Sequence, residues 1–164
     1  MNKFLKKNIL LIIFFIICFN FYSEENKIKK ENKNVCFLYY KSKYKLELMK
    51  EIENKLLDMN FTVKKDLINN MDQYNPKDFD IVVIFSGIKA FSPYPKAIKY
   101  IKKHDYAKNI IYFCAASAVK ESVYGFLDAE KIDAISSASE IDNISNTSDT
   151  IIKRILEIME WSIK

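Results

Sequence analysis

The stretch Asp78-Phe79-Asp80-Ile81-Val82-Val83-Ile84-Phe85-Ser86-Gly87 decides the fold. An unbroken apolar run rich in β-branched residues, with acids before it and Ser-Gly after it, reads as a strand buried on both faces. Such a strand belongs to a parallel sheet covered by helices on each side. The next residues, Ile88-Lys89-Ala90-Phe91-Ser92-Pro93-Tyr94-Pro95, form a loop leading into a helix. In open α/β sheets ligands sit outside the carboxyl ends of the strands, so function is expected at that loop.

Upstream, Asn34-Val35-Cys36-Phe37-Leu38-Tyr39-Tyr40 repeats the pattern and predicts a first buried strand. The period then changes to helical, with Leu48, Met49, Ile52, Leu56 and Met59 on one side of a helix from about Tyr44 to Asp58, and Asn60 is a reasonable stop. Phe61 to Lys65 reads as a second strand, polar at its end as an edge strand can be. Asp66 to Lys77 lacks periodicity and is expected to be a short helical or irregular crossover. Downstream, Pro93 or Pro95 opens a helix with Ala97, Ile98 and Ile101 inward. Asn109 to Ala115 is another buried strand, Ser117 to Glu130 a helix interrupted by Gly125, and Ile132 to Ser137 a last strand. Thr147 or Ser148 is expected to cap a closing helix carrying Ile151, Ile152, Ile155, Leu156 and Met159. Strands alternating with helices and joined right-handedly imply a three-layer α/β sandwich around a five-stranded parallel sheet.

The chain has 164 residues, enough for one well-packed domain. Its first 22 residues have the layout of a secretory signal: Lys3, Lys6 and Lys7 form a basic end, and Ile9 to Ile17 an apolar run too short to span a bilayer well. Cleavage after Ser23 is expected, with lipidation at Cys18 or an uncleaved anchor as alternatives; these are the routes by which the chain would meet a membrane. The domain is therefore expected outside the cytoplasm, in the periplasm or extracellular space. Residues 23–33 are polar and charged and read as a flexible tether, so the folded domain is expected over 34–164. The formal charge is +5, but losing the three lysines of the leader leaves 23 basic against 21 acidic residues, about +2. That balance excludes a nucleic-acid footprint, and two glycines in the whole chain exclude a Gly-rich phosphate loop.

With its β/α units in this order the chain resembles a flavodoxin. The resemblance rests on the first strand ending Leu38-Tyr39-Tyr40 and on Asp80 to Ala90 followed by Pro95-Lys96-Ala97-Ile98-Lys99, and it covers residues 34–164. It implies strand order 2-1-3-4-5 and a site for flavin mononucleotide. Candidate binding residues carried over are Ser42, Lys43 and Tyr44 in the first loop, Ser86, Lys89, Phe91 and Tyr94 around the third strand's end, and Ser117 after the fourth. Flavodoxins wrap the flavin phosphate with a loop resembling Ser/Thr-x-Thr-Gly-x-Thr, because a glycine lets amides converge on an anion beside a helix N-terminus. Here the loop reads Lys41-Ser42-Lys43-Tyr44-Lys45-Leu46, with Tyr44 at the glycine position and Lys43 and Leu46 at hydroxyl positions. A chain exported unfolded must also find its cofactor outside the cell. No cofactor is therefore expected, with flavin mononucleotide as the alternative.

That strand order places Cys36 and Cys114 on strands separated by a third, roughly 9.5 Å apart at least. A disulfide needs Cα atoms within about 7 Å, so two buried thiols are expected. Lys41, Lys43, Lys45 and Lys89 fall near the carboxyl ends of adjacent strands, where they form either a cationic crevice or a set of solvated loop lysines. Tyr39-Tyr40 and Ser86 stand where a receiver domain needs acids, there is no Gly-x-Ser-x-Gly elbow, and no cluster has metal-ligand spacing. His104 is the only histidine and sits late in a Lys-rich helix, where the last carbonyls can hold it. The expectation is a non-catalytic binding or interaction module whose partner is a small anion or an envelope protein. A flavin-carrying electron-transfer protein is the alternative.

Overall fold

The central strand β3 (Ile81–Lys89) lies between β1 (Lys33–Tyr39) and β5 (Ile110–Ala115), both parallel to it. The structure is a computed structural model, and the residues it describes are 33–89, 92–115, 131–137 and 140–161. They all belong to one compact unit, Asn32–Lys164. The remaining strands are β2 (Phe61–Leu67), parallel to β1, and β6 (Asp133–Ser137), parallel to β5. The order is therefore β2-β1-β3-β5-β6. Leaving aside the two-residue β4 (Ser92–Pro93), which turns back antiparallel on the end of β3, this is the flavodoxin-like order 2-1-3-4-5.

Alternation within the buried strands divides the core in two. Val35, Phe37, Ile81, Val83, Phe85, Ile111 and Phe113 face α1 (Lys43–Asp58) and α3 (Ile144–Trp161). The Phe85 ring packs edge-on against Phe37 at 5.1 Å and Phe113 at 5.7 Å. Cys36, Leu38, Val82, Ile84, Tyr112 and Cys114 face the other way, toward α2 (Pro95–Lys103) and the 3-10 turn Ile68–Gln73. Residues 81–86 of β3 are all buried, as a strand without polar alternation requires.

Helix ends follow local chemistry. Asn60 takes φ 64°, the left-handed conformation that stops α1, and its amide donates to the Leu57 carbonyl at 2.9 Å. After α2, Asp105 and Tyr106 both have positive φ, and their amides return to the Lys102 and Ile101 carbonyls at 3.1 Å each in a Schellman arrangement.

Several elements differ from the sequence reading. Strand β2 continues through Leu67, because Lys65, Asp66 and Leu67 pair with Phe37, Leu38 and Tyr39; an edge strand keeps its ladder while its side chains stay polar. Helix α3 begins at Ile144, a turn before the expected caps. Thr147 and Ser148 are buried inside it, and their hydroxyls bond Ser137 at 2.9 Å and Lys55 at 2.7 Å. In α2, Pro95 and not Pro93 opens the helix, and Tyr100 is fully buried while Ile98 is half-buried. The expected helix over residues 117–130 lies outside the described residues.

Cys36 and Cys114 are buried free thiols, as expected. Cys36 pairs with Val82 and Cys114 with Ser86, so they are two strands and four residues apart, about 16 Å. Burial pushes the Cys36 thiol up to about 12.

Candidate functional site at the carboxyl ends of the strands

The connection from β1 to α1 is short and closed. Tyr40 extends the strand ladder by one rung, its amide donating to the Phe85 carbonyl at 3.0 Å. Ser42 then caps α1: its Oγ accepts from the Lys45 amide at 3.3 Å and its carbonyl from the Leu46 amide at 3.0 Å. The Ser42 hydroxyl is thus already engaged by its own helix. Tyr44, at the position of the flavodoxin glycine, is buried in the core between α1 and α3, with its hydroxyl donating to Thr147 Oγ1 at 3.5 Å. Lys41 and Lys43 are exposed.

Lys45 behaves differently from its neighbours. It is 5% exposed and lies on the apolar stripe of α1 with Leu48, Met49 and Ile52. Its Nζ sits above the Tyr40 ring at 5.7 Å from the centroid. A Cβ placed on Gly87 would stand 3.2 Å from that Nζ and 3.3 Å from the Ala115 carbonyl oxygen, so the ammonium occupies the gap left by a missing side chain. Among the described residues nothing accepts a hydrogen bond from Nζ and no carboxylate pairs with it. Burial lowers the Lys45 pKa, with the neighbouring Cys114 acting weakly the other way.

Beneath this corner, Ser86 faces Cys114 across the β3–β5 ladder, two pairs beyond Ile84 and Tyr112 and so on the same face. Ser86 is fully buried, and among the described residues its hydroxyl makes a long 3.5 Å bond to the Gly87 carbonyl. The buried Tyr112 hydroxyl makes no well-formed hydrogen bond among the described residues. Burial raises both the Tyr112 hydroxyl and the Cys114 thiol, and Ser86 and Cys114 are close enough to Tyr112 to perturb it.

Tyr94 precedes α2 at the same end. Its hydroxyl donates to Asn69 Oδ1 at 2.6 Å, and its ring lies 5.9 Å from that of Tyr40. Lys89 ends β3, paired with Ser92. Phe91 and Ser117 lie outside the described residues. Of the sequence candidates, then, Ser42, Ser86 and Tyr94 lie with Lys45 around the strand ends, Lys43 points to solvent, and Tyr44 packs inside.

Sequence reasoning missed Tyr112 and Cys114 as polar groups beneath the rim, and the burial of Lys45. A signal for Lys45 was present: it precedes Leu48 and Met49 by three and four residues and so shares their buried face. His104 caps the end of α2, its ring 4.5 Å from that of Tyr100, and burial followed by Lys103 lowers its pKa.

A cavity of about 1070 Å³ opens at the opposite, amino ends of β3, β5 and β6. Five of its polar side chains, those of Asp80, Asn109, Asp133, Arg154 and Glu157, are paired. Arg154 bonds Asp133 and Glu157, and Asn109 Nδ2 donates to the Pro76 and Phe79 carbonyls at 2.8 and 2.9 Å. Asp80 Oδ2 accepts from the Asn34 amide at 2.6 Å. Among the described residues no group of three or more His, Cys, Asp or Glu could hold a metal ion. No helix among them is long and apolar enough to cross a membrane.

No protein-family model matches the sequence, and no curated protein matches it. Solved structures do share the fold. A flavo di-iron protein mutant from Thermotoga maritima superposes with TM-score 0.51 at 15% identity, over 77% of this chain and 36% of that one. The rubredoxin oxygen:oxidoreductase from Desulfovibrio gigas gives TM-score 0.51 at 12% identity, over 84% and 39%. The lysine decarboxylase LdcF from Francisella novicida gives 0.50 at 15% identity, over 79% and 18%. The chain spans well under half the length of each of these proteins, and they differ in named activity. At such identity the likeness establishes a flavodoxin-like fold.

Proposed function

We propose that this chain is an exported, non-catalytic binding domain on a flavodoxin-like scaffold, with its ligand or partner contacting the carboxyl ends of β1, β3 and β5. The observation that carries this reading is the closed loop after β1. Tyr40 is held in the ladder by Phe85, the Ser42 hydroxyl is used as an N-cap, and Tyr44 fills the glycine position from the core side. These residues do not fit the phosphate of flavin mononucleotide as the flavodoxin loop would hold it. Wrapping the phosphate requires converging amides and several donating hydroxyls, and the loop has no glycine to turn the amides and, apart from the buried Tyr44, a single hydroxyl, Ser42, held in place as the N-cap of α1.

Export rests on the basic, apolar and polar layout of the first 22 residues. The partner outside the cytoplasm is then a small anion or an envelope protein. Mass spectrometry of the mature chain, recovered after fractionation, is expected to give an N-terminus near residue 24; an intact Met1 in the cytoplasmic fraction would refute export.

A flavin-carrying electron-transfer protein is the second reading. The Tyr40–Tyr94 pair favours it, since it puts aromatic rings at the carboxyl ends of the strands, where a flavin ring could stack on one of them. Titrating flavin mononucleotide and following its fluorescence separates the two readings. A binding module of the proposed kind gives no saturable quenching into the high micromolar range and a colourless preparation. Saturable quenching at low micromolar flavin would replace the proposal with electron transfer.

A further inference from the structure

Three observations meet at the amino end of the sheet. The first is a group of lysines brought together from separate segments. Lys102 and Lys103 close α2, where cations complement the last carbonyls of a helix. That role does not extend to Lys77 or Lys108, which reach the same place from turns. Asn109 Nδ2 donates to the Pro76 carbonyl at 2.8 Å, so the turn Pro76–Asp78 lies against the residue that follows Lys108. All four lysines are exposed. The exposed acids on these turns are Asp78 and Asp105, so positive charge is in excess, and Asp72 is engaged by Lys96. Elsewhere the signs are mixed: α1 carries four lysines against four acids, whereas the four charged residues of α2 are all lysine.

The second is a pair of exposed apolar side chains. Leu57 is 53% exposed and Met59 45%, both at the end of α1, where Asn60 turns the chain into β2. Phe61 then pairs with Lys33, so this turn stands at the amino ends of β1 and β2. The third is where the chain enters. Strand β1 starts at Lys33, so residues 1–32 join the domain at this same end. Lys27, Lys29 and Lys30 come just before it in the sequence.

We propose that the amino end of the sheet rests on an anionic lipid surface, with Lys77, Lys102, Lys103 and Lys108 against the headgroups and Leu57 and Met59 entering the interface. Lysines are compact point charges suited to a fluid layer of phosphates, and each one near such a surface strengthens partition about fivefold. An acidic protein fits less well, because protein interfaces centre on Trp, Tyr and Arg. The exposed apolar residues at this end are not aromatic, and Arg154 is engaged by Asp133 and Glu157. The proposal goes beyond the binding role, since it gives the domain a lipid contact that needs no anchor. It also leaves the carboxyl ends of β1, β3 and β5 facing away from the membrane.

The test sediments the chain recovered by fractionation with phosphatidylcholine vesicles that contain or lack phosphatidylglycerol, at low and at raised salt. Binding is expected with phosphatidylglycerol and is expected to weaken with salt. Lys102→Gln/Lys103→Gln should lower partition about twentyfold. Lys50→Gln/Lys153→Gln has the same net charge but lies in the middle of α1 and α3, and should stay near the parent. Both pairs substitute exposed side chains, so folding is retained.

Equal partition with and without phosphatidylglycerol, or equal losses in the two variants, overturns the proposal. Absence of vesicle binding joined to retention on immobilised polyglutamate reassigns the face to an acidic protein and equally overturns it. Titration with flavin mononucleotide is independent of these arms. Saturable flavin quenching would refute the proposed function and leave the vesicle result standing.

Discussion

The two ends of the sheet treat their polar groups in opposite ways. At the amino end, Asp133 is held by Arg154, Asp80 by the Asn34 amide, and the Asn109 side chain bridges two carbonyls, so the carboxylates and the amide lining a large cavity are satisfied. At the carboxyl end, among the described residues, nothing accepts a hydrogen bond from the Lys45 ammonium, the Tyr112 hydroxyl makes no well-formed hydrogen bond, and Ser86 makes a long one. Buried polar groups are ordinarily bonded, so an end that leaves several unmade departs from the structural optimum. The cavity volume therefore points to the wrong end. A paired lining holds a shape, whereas unpaired groups offer a ligand something to bind.

This contrast can be broken most sharply from the amino end. Asn109→Leu removes both bridging bonds and strands the Pro76 and Phe79 carbonyls, which should cost about 2–3 kcal/mol in urea unfolding. A neutral result would mean that water replaces the bridge and that the amino end is not held by its pairings.

At the carboxyl end the expected sign reverses. Lys45→Met keeps the buried stem and removes a charge that burial disfavours, so the variant should be more stable than the parent by about 1 kcal/mol at pH 7. A destabilised variant would show that the ammonium is already well compensated. The pH dependence sharpens this further. The folded-state pKa of Lys45 lies below the ordinary lysine value of 10.5, so between the two the unfolded chain binds more protons and parent stability rises with pH. The penalty is complete below the folded pKa. The gap between Lys45→Met and the parent should accordingly narrow as pH climbs toward 10.5, measured as a difference so that the other titrating groups cancel.

Tyr112→Phe should have no larger an effect, a gain of up to about 1 kcal/mol from deleting a buried hydroxyl that makes no well-formed hydrogen bond among the described residues, read by the same unfolding curves. The smallest effect concerns His104. Its folded pKa lies below 6.5, so its contribution is present above pH 6.5 and lost as pH falls through the folded value. His104→Gln should remove a slope of a few tenths of a kcal/mol in that window, since the side chain is only half-buried.

Apolar runs and helical periods reveal much of the architecture because they record burial directly. Ile81 to Phe85, Val35 to Leu38 and Ile110 to Ala115 lack alternation for the same reason that they sit in the middle of a two-sided sheet. Polar residues carry less local information. Asp66 and Leu67 look like crossover and are strand, because an edge position tolerates charge; Thr147 and Ser148 look like caps and are interior, because Ser137 of β6 and Lys55 and Glu51 of α1 bond their hydroxyls. Of the site, the sequence shows its place on the sheet and the loss of the glycine at Tyr44, but not which lysine matters. Lys41, Lys43 and Lys45 are alternate residues in one short loop and helix start, and only the rotation of α1 onto the sheet separates two solvated ammoniums from a buried one.

By itself the sequence determined the fold class, which follows from a hydrophobic period that acts along the chain; the strand order that keeps Cys36 from Cys114 was implied by the flavodoxin resemblance, and the pairings bear it out. The tertiary structure alone decided that Lys45 lies in the gap beside Gly87 and that Tyr112 makes no well-formed hydrogen bond among the described residues. Those outcomes depend on which residues from other strands lie against each group, since satisfaction of a buried charge or hydroxyl is settled by neighbours in space.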